Sequence, residues 1–262
     1  MARICPLFSS SSGNSTYIST SKGSLLVDTG ASCKAIETAL CGAGGNISDI
    51  LAVAVTHEHI DHVKGLRVFL KKSGAALIAS SSTLEALARE DRIPENTNVI
   101  CADDGLVTVG DICITRFATS HDCVGSSGYT VSVDNKKIAA VCTDLGVVTD
   151  EVRAAISGFP AVLIESNHDV EMLRRGPYPA YLKLRILSEH GHLSNNACAV
   201  ELPKLLENGT SRFILGHLSR NNNLPMLALS CARATLSDIG AKADRDYMIT
   251  VAKPEGNGVI LL

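Results

Sequence analysis

Three histidines and one aspartate lie close together in the string THEHIDH, at His57, His59, Asp61 and His62. The string follows an apolar run, Leu51 to Val55, that predicts a buried strand. Side chains two apart on an extended segment point the same way, so His57 and His59 can share one ion. Asp61 and His62 are adjacent, and if they open a helix they project toward a second point. The string therefore predicts two sets of metal ligands in one loop.

Chance is a poor explanation for this string. A lone histidine beside an apolar strand is more often a structural residue than a ligand. A shuffled chain with the same 8 histidines would contain the whole pattern only about once in a couple of thousand trials. The combination therefore indicates metal binding where a single histidine would not.

Further candidate residues lie at the ends of other predicted strands. They are Asp28, His121, Asp144, Glu165 and His217. A carboxylate such as Asp144 can offer one oxygen to each of two ions, and Asp28 can orient a histidine by accepting its N–H. Each also has a plainer interpretation when taken singly: Asp28 as a turn residue, His121 as a loop histidine and Asp144 as a cap of the next helix.

The elements that must position these residues alternate between strands and helices, with turn residues between them. The pattern predicts strands at 3–8, 16–19, 24–27, 51–55, 76–79, 98–101, 106–109, 112–118, 137–142, 161–164, 213–215, 247–251 and 259–262. It predicts helices at 35–40, 63–72, 83–89, 150–156, 195–206 and 224–236. Pro203 should kink or divide the helix at 195–206. Since no repeat or linker is visible, a single domain over residues 1–262 is favoured.

The THEHIDH string resembles the metal motif of the metallo-β-lactamase superfamily. The resemblance implies an α/β, four-layer αββα fold in which two mixed sheets are sandwiched between helices. It also implies two divalent ions. One would be bound by His57, His59 and His121, the other by Asp61, His62 and His217, with Asp144 shared between them. The strand ends that carry these residues occur in the order that the superfamily uses.

Over essentially its whole length the chain resembles the YycJ/VicX family, also called WalJ. The resemblance is carried by the strings FSSSSGNSTYI, THEHIDHVKGL, SHDCVGSSGYT, CTDLG, ESNHDVEML, GPYPAYLKLRI, GHLSNN and LGHLSRNNN. It implies a di-metal phosphodiesterase with 5′-to-3′ exonuclease activity on DNA and with zinc or manganese in the site. The resemblance favours DNA over RNA as substrate, whereas the residues themselves do not distinguish the two and leave exo and endo action open. Histidine and aspartate ligands suit iron as well.

Glu165 and His192 resemble the acid and histidine pair of tRNase Z and its relatives, in which the histidine protonates the leaving oxygen. A helix N-terminus and two cations both disfavour an imidazolium, so a nearby carboxylate is needed to keep His192 protonatable. The resemblance therefore implies His192, Glu165 and Asp61 as catalytic residues.

Candidate substrate contacts come from three polar or basic segments. They are Ser12 and Asn14 in the run SSSSGNS, Lys183 in the basic stretch 170–186, and Arg220 and Asn221 after the last histidine ligand. Hydroxyls, amides and cations can meet phosphates, and Tyr178 or Tyr181 can stack on a base. A Ser/Gly cluster between strands is as readily a plain hairpin loop, and a basic helix is usually a solvated face.

Composition limits the remaining possibilities. At 262 residues and 45% hydrophobic content the chain can bury a sizeable core. Its apolar stretches fall far short of the roughly 18 to 20 residues that span a bilayer, and the N-terminus lacks the apolar core of a signal peptide. A cytoplasmic protein without membrane contact is expected, and the oligomeric state stays open. Nine cysteines without a C-x-x-C pair indicate neither a disulfide framework nor a zinc ribbon.

Two rival hypotheses share the same metal site. A hydrolase of a small ester, thioester or lactam would keep most of its turnover when His192 is replaced, because its leaving group needs no such acid. A non-catalytic regulatory metalloprotein would lose thermal stability on Asp144→Asn but would have no activity to lose.

Overall fold

The computed structural model describes residues 2–256 and 258–262, whose strands form two mixed sheets of seven strands each. The first sheet contains β1 (Arg3–Ser10), β2 (Gly13–Thr20), β3 (Gly23–Val27), β4 (Ile50–Ala54), β5 (Ala76–Ala79), β6 (Val99–Cys101) and β14 (Ile260–Leu261). The second contains β7 (Leu106–Val109), β8 (Ile112–Ala118), β9 (Ser127–Val133), β10 (Lys136–Cys142), β11 (Ala161–Glu165), β12 (Arg212–Gly216) and β13 (Met248–Val251). The strand orders are β14-β1-β2-β3-β4-β5-β6 and β13-β12-β11-β10-β9-β8-β7.

The helices lie between these strands in the order that the sequence predicts. They are α1 (Cys33–Gly42), α2 (Ile60–Val63), α3 (Leu66–Ser73), α4 (Ser81–Arg89), α5 (Asp150–Ile156), α6 (Val170–Arg175), α7 (Ala180–Ile186), α8 (Asn195–Ala199), α9 (Leu202–Glu207) and α10 (Pro225–Asp238), with a 3-10 turn at Ile47–Asp49. None of the helices in the described ranges has both the length and the apolar character needed to cross a bilayer.

The chain divides into two compact units. The first takes in Met1–Ala118, Cys123–Ala139 and Lys253–Leu262, and the second takes in Thr119–Asp122 and Ala140–Ala252. The single domain over 1–262 and the cytoplasmic location stay predictions.

In the first unit, the pairing of the first sheet changes from antiparallel to parallel. β1, β2 and β3 pair antiparallel, whereas β3, β4, β5 and β6 pair parallel. Parallel strands bring their carboxyl ends to one edge of the sheet. Asp28 follows β3 and Thr56 follows the end of β4, so the segments that carry them leave the sheet at the same edge.

The core of this unit is built from one-sided helices packed with the sheet. α1 buries Cys33, Ile36 and Leu40, and α3 buries Leu66 and Phe69, at the three- and four-residue spacing of a helix face. Burying a leucine or phenylalanine side chain stabilises a fold by about 1.5–3 kcal/mol. This packing fixes α1 and α3, which precede and follow the THEHIDH string in the sequence.

In the second unit, β11, β12 and β13 pair parallel. Glu165 at the end of β11 is in register with Gly216 at the end of β12. His217 follows directly, so the register of two strands brings an acid and a histidine to the same level.

Two predicted elements were wrong in detail. The helix expected at 63–72 is interrupted, and α3 begins only at Leu66. The backbone N–H of Gly65 donates to Thr29 at 2.8 Å, and a Cβ at Gly65 would lie 2.3 Å from the backbone oxygen of Ala31. That close approach ends the preceding turn. The basic stretch 170–186 forms two short helices, α6 and α7, with Pro177 and Pro179 in the connection.

Two other features follow the sequence closely. The run SSSSGNS is a hairpin, since β1 continues to Ser10 and β2 begins at Gly13. Pro203 divides its helical stretch as expected, because α8 ends at Ala199 and the proline occupies the first turn of α9.

Candidate metal centre

Four predicted ligands lie between the end of β4 and the end of α2, all in the first unit. His57 and His59 precede α2, while Asp61 and His62 lie within its single turn, as the sequence predicted. Nε2 of His57 lies 3.0 Å from Nδ1 of His59. Two imidazole nitrogens at this separation can direct their lone pairs at one ion.

Asp28 is buried beneath this string and accepts three hydrogen bonds. Its Oδ1 accepts from the backbone N–H of Thr56 at 2.8 Å. Its Oδ2 accepts from Nδ1 of His62 at 2.8 Å and from Oγ1 of Thr56 at 2.9 Å. Burial raises the pKa of Asp28, and the contacts with His62 and Thr56 reduce this rise without cancelling it. With Nδ1 of His62 donating to Asp28, the lone pair of its neutral ring is on Nε2.

Thr56 extends the same arrangement to a second histidine. Its Oγ1 lies 3.0 Å from Nδ1 of His57. A hydroxyl has one proton, and the carboxylate of Asp28 takes it because a carboxylate only accepts. The Thr56 oxygen then accepts from Nδ1–H of His57, which places the lone pair of this ring on Nε2 as well. Thr56 was not singled out from the sequence, although it opens the ligand string.

Thr56→Val should weaken binding of Zn²⁺ by about tenfold to a hundredfold, the range found when a group that orients a metal ligand is lost. Valine keeps the shape of threonine but cannot bridge Asp28 and His57. Competition with a chromophoric chelator measures the affinity. Thr56→Ser retains the hydroxyl and serves as the matched control. Equal affinities for the valine and serine variants would show that the hydroxyl does not orient the histidine.

Asn14 and Gly30 lie against Asp61 in the THEHIDH string. Nδ2 of Asn14 donates to the backbone oxygen of Ser10 at 3.1 Å and to Oδ2 of Asp61 at 3.3 Å. A Cβ at Gly30 would lie 1.7 Å from the backbone oxygen of Asp61, so only glycine fits there. Asn14 is buried, whereas Ser12 is exposed at the hairpin turn. Substrate binding by these two residues stays a prediction.

The remaining predicted site residues lie in the second unit. Ligand atoms of Asp144, Glu165, His192 and His217 all lie within 4.8 Å of one another. Two carboxylates and two imidazoles are donors that zinc, manganese and iron accept. This His/Asp cluster is therefore able to bind a divalent ion, and Asp144 and His217 are the two of its residues predicted as ligands.

Glu165 is fully buried, and both of its oxygens accept hydrogen bonds. Oε1 accepts from Nδ1 of His192 at 2.8 Å and from Nδ1 of His217 at 3.0 Å. Oε2 accepts from the backbone N–H of Leu145 at 2.9 Å. Because Nδ1 of His192 is engaged, its Nε2 is the nitrogen that can exchange a proton with a substrate.

The charges of this cluster support the protonated form of His192. Burial lowers the pKa of His192, but the negative charge of Glu165 and their hydrogen bond outweigh burial, and the net pKa is raised. Burial raises the pKa of Glu165, yet the two imidazoles beside it outweigh burial and hold the pKa well below its usual range. Glu165 is therefore ionised, and its negative charge is the one that the sequence predicted beside His192 to keep this histidine protonatable.

His121 is oriented by the turn that leads to His192. Its Nδ1–H donates to the backbone oxygen of Gly191 at 3.1 Å, which places the lone pair of the neutral ring on Nε2. Burial lowers the pKa of His121 and so favours the neutral form that binds metal. A Cβ at Gly191 would lie 2.3 Å from the backbone oxygen of Arg185, so the turn admits only glycine.

A network of amides supports His217. Nδ2 of Asn167 donates to the backbone oxygen of His217 at 2.9 Å. Nδ2 of Asn223 lies 2.9 Å from three acceptors, the backbone oxygens of Ser166 and Asn167 and Oδ1 of Asn195, and Oδ1 of Asn223 accepts from Nδ2 of Asn195. The only signal in the sequence was the presence of several asparagines in the strings ESNHD and RNNN. The hydrogen bonds between these asparagines were not predicted.

Three site residues have left-handed backbone conformations, with φ of 64° at Asp28, 58° at Asp144 and 54° at His217. Asp, Asn and His tolerate this region better than other non-glycine residues. Asp144 does not cap α5, because Thr149 occupies that position. Its left-handed turn instead leads from β10 to the contact at 3.1 Å between Oδ1 of Asp144 and Nδ1 of His217.

Two of the predicted substrate contacts have protein partners. Nζ of Lys183 donates to the backbone oxygen of Arg174 at 2.7 Å, at the C-terminal end of α6. Nδ2 of Asn221 donates to the hydroxyl of Tyr178 at 2.9 Å. Arg220 is exposed beside it. Substrate binding by these residues stays a prediction.

His168 is buried in the second unit, and neither of its ring nitrogens has a hydrogen-bond partner among the described residues. Burial lowers the pKa of His168 to about 4. The folded state therefore excludes a proton that the unfolded chain takes up below about pH 6.5. The stability associated with this neutral histidine is complete above pH 6.5 and is lost as pH falls toward 4.

The free energy of unfolding of the wild type should fall by about 2 kcal/mol relative to His168→Phe between pH 6.5 and pH 5. Urea unfolding of the metal-free proteins in chelator measures the difference. The exposed His190→Phe is the matched control for replacing a histidine by phenylalanine. If the free energy of unfolding changed equally with pH in the wild type and His168→Phe, the pKa of His168 would be the same in the folded and unfolded states.

Comparisons with known proteins place the chain in a family. A family model described as a beta-lactamase superfamily domain matches residues 24–218. The chain is 39% identical over 250 residues to "Exodeoxyribonuclease YycJ" of Bacillus anthracis, which covers 95% of this chain and 94% of that protein. The chain belongs to the YycJ/WalJ family of the metallo-β-lactamase superfamily. The membership predicted from the sequence is confirmed.

One further relative agrees with YycJ/WalJ membership, and a solved structure agrees with the fold. "Exodeoxyribonuclease WalJ" of Streptococcus pneumoniae serotype 2 is 40% identical over 225 residues, covering 85% of this chain and 83% of that protein. The crystal structure of the metallo-beta-lactamase fold protein YhfI from Bacillus subtilis matches with a TM-score of 0.72 at 16% identity, covering 99% of this chain and 98% of that one. The predicted α/β fold class, two mixed sheets flanked by helices, is confirmed for this YycJ/WalJ member.

Proposed function

We propose that this YycJ/WalJ member is a divalent-metal-dependent phosphodiesterase that removes nucleotides from DNA in the 5′-to-3′ direction. The observation that carries the proposal is the contact of 2.8 Å between Nδ1 of His192 and Oε1 of Glu165. A buried carboxylate that keeps a histidine protonatable is what departure of an alkoxide from phosphorus requires. The two relatives, named as exodeoxyribonucleases, support DNA as the substrate.

Two divalent ions are part of the proposal, with zinc or manganese as candidates and iron compatible with the same donors. His57, His59 and His121 would hold one ion and Asp61, His62 and His217 the other, with Asp144 contributing to both. When bound, the ions supply Lewis-acid stabilisation of the charge that develops on the phosphoryl oxygens and lower the pKa of water. This assignment rests on the family resemblance and on the donor chemistry of each ligand group.

The protein's own residues supply orientation and a proton. Asp28 and Thr56 hold Nδ1 of His62 and His57, so that Nε2 of each ring is the ligand atom. Glu165 holds Nδ1 of His192, and Nε2–H of the imidazolium gives its proton to the leaving oxygen. After the transfer His192 is neutral and keeps its hydrogen bond to Glu165, and Nε2 must take a proton from solvent before the next turnover.

Incubation with labelled duplex DNA in Mn²⁺ or Zn²⁺ tests the proposal. A 5′ label should appear at once as mononucleotide, whereas a 3′ label should remain on fragments that shorten gradually. Phosphorothioate linkages at the 5′ end should block the reaction, and the same linkages at the 3′ end should not. No release of mononucleotide with either metal, or hydrolysis only of small esters or lactams, would contradict the proposed function.

A further inference from the structure

One face of α7 exposes apolar side chains to solvent. Tyr181 is 73% exposed, Leu184 71% and Leu187 41%, whereas Ile186 on the opposite side is buried. Their spacing of three residues places Tyr181, Leu184 and Leu187 on one face, which we call the α7 ridge. An exposed aromatic ring beside two leucines on so short a helix indicates a surface that binds something.

The C-terminal end of α6 lies against α7 in the second unit, because Nζ of Lys183 donates to the backbone oxygen of Arg174 at 2.7 Å. Arg174 and Arg175 at the end of α6 share the single acid Glu171, with N–O distances of 3.2 and 3.5 Å. Two guanidinium groups on one carboxylate leave a net positive charge. Exposed ion pairs are weak, so phosphates can compete for these arginines. The surface is therefore both apolar and basic.

The connection before α7 contacts the segment that follows a predicted metal ligand. The hydroxyl of Tyr178 accepts from Nδ2 of Asn221 at 2.9 Å, four residues after His217. The backbone N–H of Asp169, before α6, donates to the backbone oxygen of Asn222 at 2.8 Å. Both contacts lie within the second unit, so they tie the helices that carry the ridge and its cations to the segment after His217.

We propose that the α7 ridge binds a single-stranded segment of DNA, with a base stacked on Tyr181 and the neighbouring phosphates beside Arg174 and Arg175. The inference rests on the proposed function and names the form of DNA that this surface accepts. A stacked base must leave its neighbours, which a single strand permits and an intact duplex opposes. Stacking on an aromatic side chain together with phosphate contacts is how many proteins bind single strands.

A second copy of the chain is a weaker fit to the ridge. A helix of seven residues is only about 10 Å long. A stable interface buries about 800 Å² on each partner, which the ridge alone does not offer. The adjacent arginines also oppose self-association, since a symmetric contact would bring them near their own copies.

Fluorescence anisotropy with a labelled single-stranded oligothymidylate in chelator tests the inference without cleavage. Tyr181→Ala should raise Kd about fivefold, which corresponds to about 1 kcal/mol, and Tyr181→Phe should bind like the wild type. Leu106→Ala, which removes an exposed leucine from β7 in the first unit, is the matched control and should not change Kd. Blunt duplex DNA should bind more weakly than the single strand and should be insensitive to Tyr181→Ala.

Hydrolysis of bis(p-nitrophenyl) phosphate separates this inference from the proposed function. That small diester has no base to stack on Tyr181, so its hydrolysis by the wild type tests the proposed chemistry without DNA binding. Inactive protein that binds the oligothymidylate through Tyr181 would contradict the nuclease proposal and leave the ridge supported. Equal binding by the wild type and Tyr181→Ala, or a dimer in sedimentation that Leu184→Glu dissociates, would overturn the inference about the ridge.

Discussion

His192→Gln should lower the rate of DNA hydrolysis by about a hundredfold to ten-thousandfold, the usual contribution of a general acid, while metal content is unchanged. Nε2 of His192 is the proton donor in the proposed reaction, and glutamine cannot donate an acidic proton. The alkoxide that leaves a DNA phosphodiester needs that proton. Single-turnover digestion of labelled DNA measures the rate, and plasma emission spectrometry measures the metal.

The leaving group provides the control for this variant. p-Nitrophenolate leaves without a proton, so His192→Gln should retain most of its activity on bis(p-nitrophenyl) phosphate. A variant that loses both activities equally would indicate that His192 binds metal or maintains the site. Unchanged DNA hydrolysis would favour the rival hypothesis of a hydrolase for small esters or lactams.

Asp144→Asn should remove at least one bound ion and lower DNA hydrolysis about a thousandfold, since a lost metal contributes several kcal/mol to the transition state. Asparagine keeps the volume of the side chain and its left-handed backbone. It loses the charge and the second oxygen that a shared ligand must offer. Metal per chain and the rate of DNA hydrolysis are measured on the same preparation.

Asp134→Asn is the matched control, because Asp134 is exposed and also has a left-handed backbone, with φ of 50°. It should leave both metal and rate unchanged. If Asp144→Asn kept both ions and full activity, the shared-ligand assignment would be wrong. If the wild type were inactive and Asp144→Asn only lowered Tm, the regulatory metalloprotein would be the better hypothesis.

The strand ends that carry the chemistry could be predicted because they are local patterns. A short apolar run followed by a polar ligand type marks His57, Asp144 and His217 directly in the sequence. The pair formed by Glu165 and His192 required the family resemblance, since 27 residues separate the two partners. The geometry of the pair comes from β11 and from the turn at Gly191.

The supporting contacts could not be predicted because they join distant segments. Thr56 lies 28 residues from Asp28, and Asn167 lies 50 residues from His217. Nothing in the local sequence tells which hydroxyl or amide reaches which ligand. The interruption of the helix at Gly65 has the same origin, because a backbone carbonyl from an earlier loop occupies the space that a side chain would need.

The left-handed backbone at Asp144 and His217, two predicted ligands in the second unit, also restricts which residue types can replace them. Asp, Asn and His are the non-glycine residues that this conformation tolerates best, whereas other side chains cost about 1–2 kcal/mol there. Exchange of these residues for cysteine or glutamate, the usual route to a softer or more acidic site, is therefore opposed by the backbone. The fold confines the ligand chemistry at these positions to short carboxylates, amides and imidazoles, independently of which ion is available.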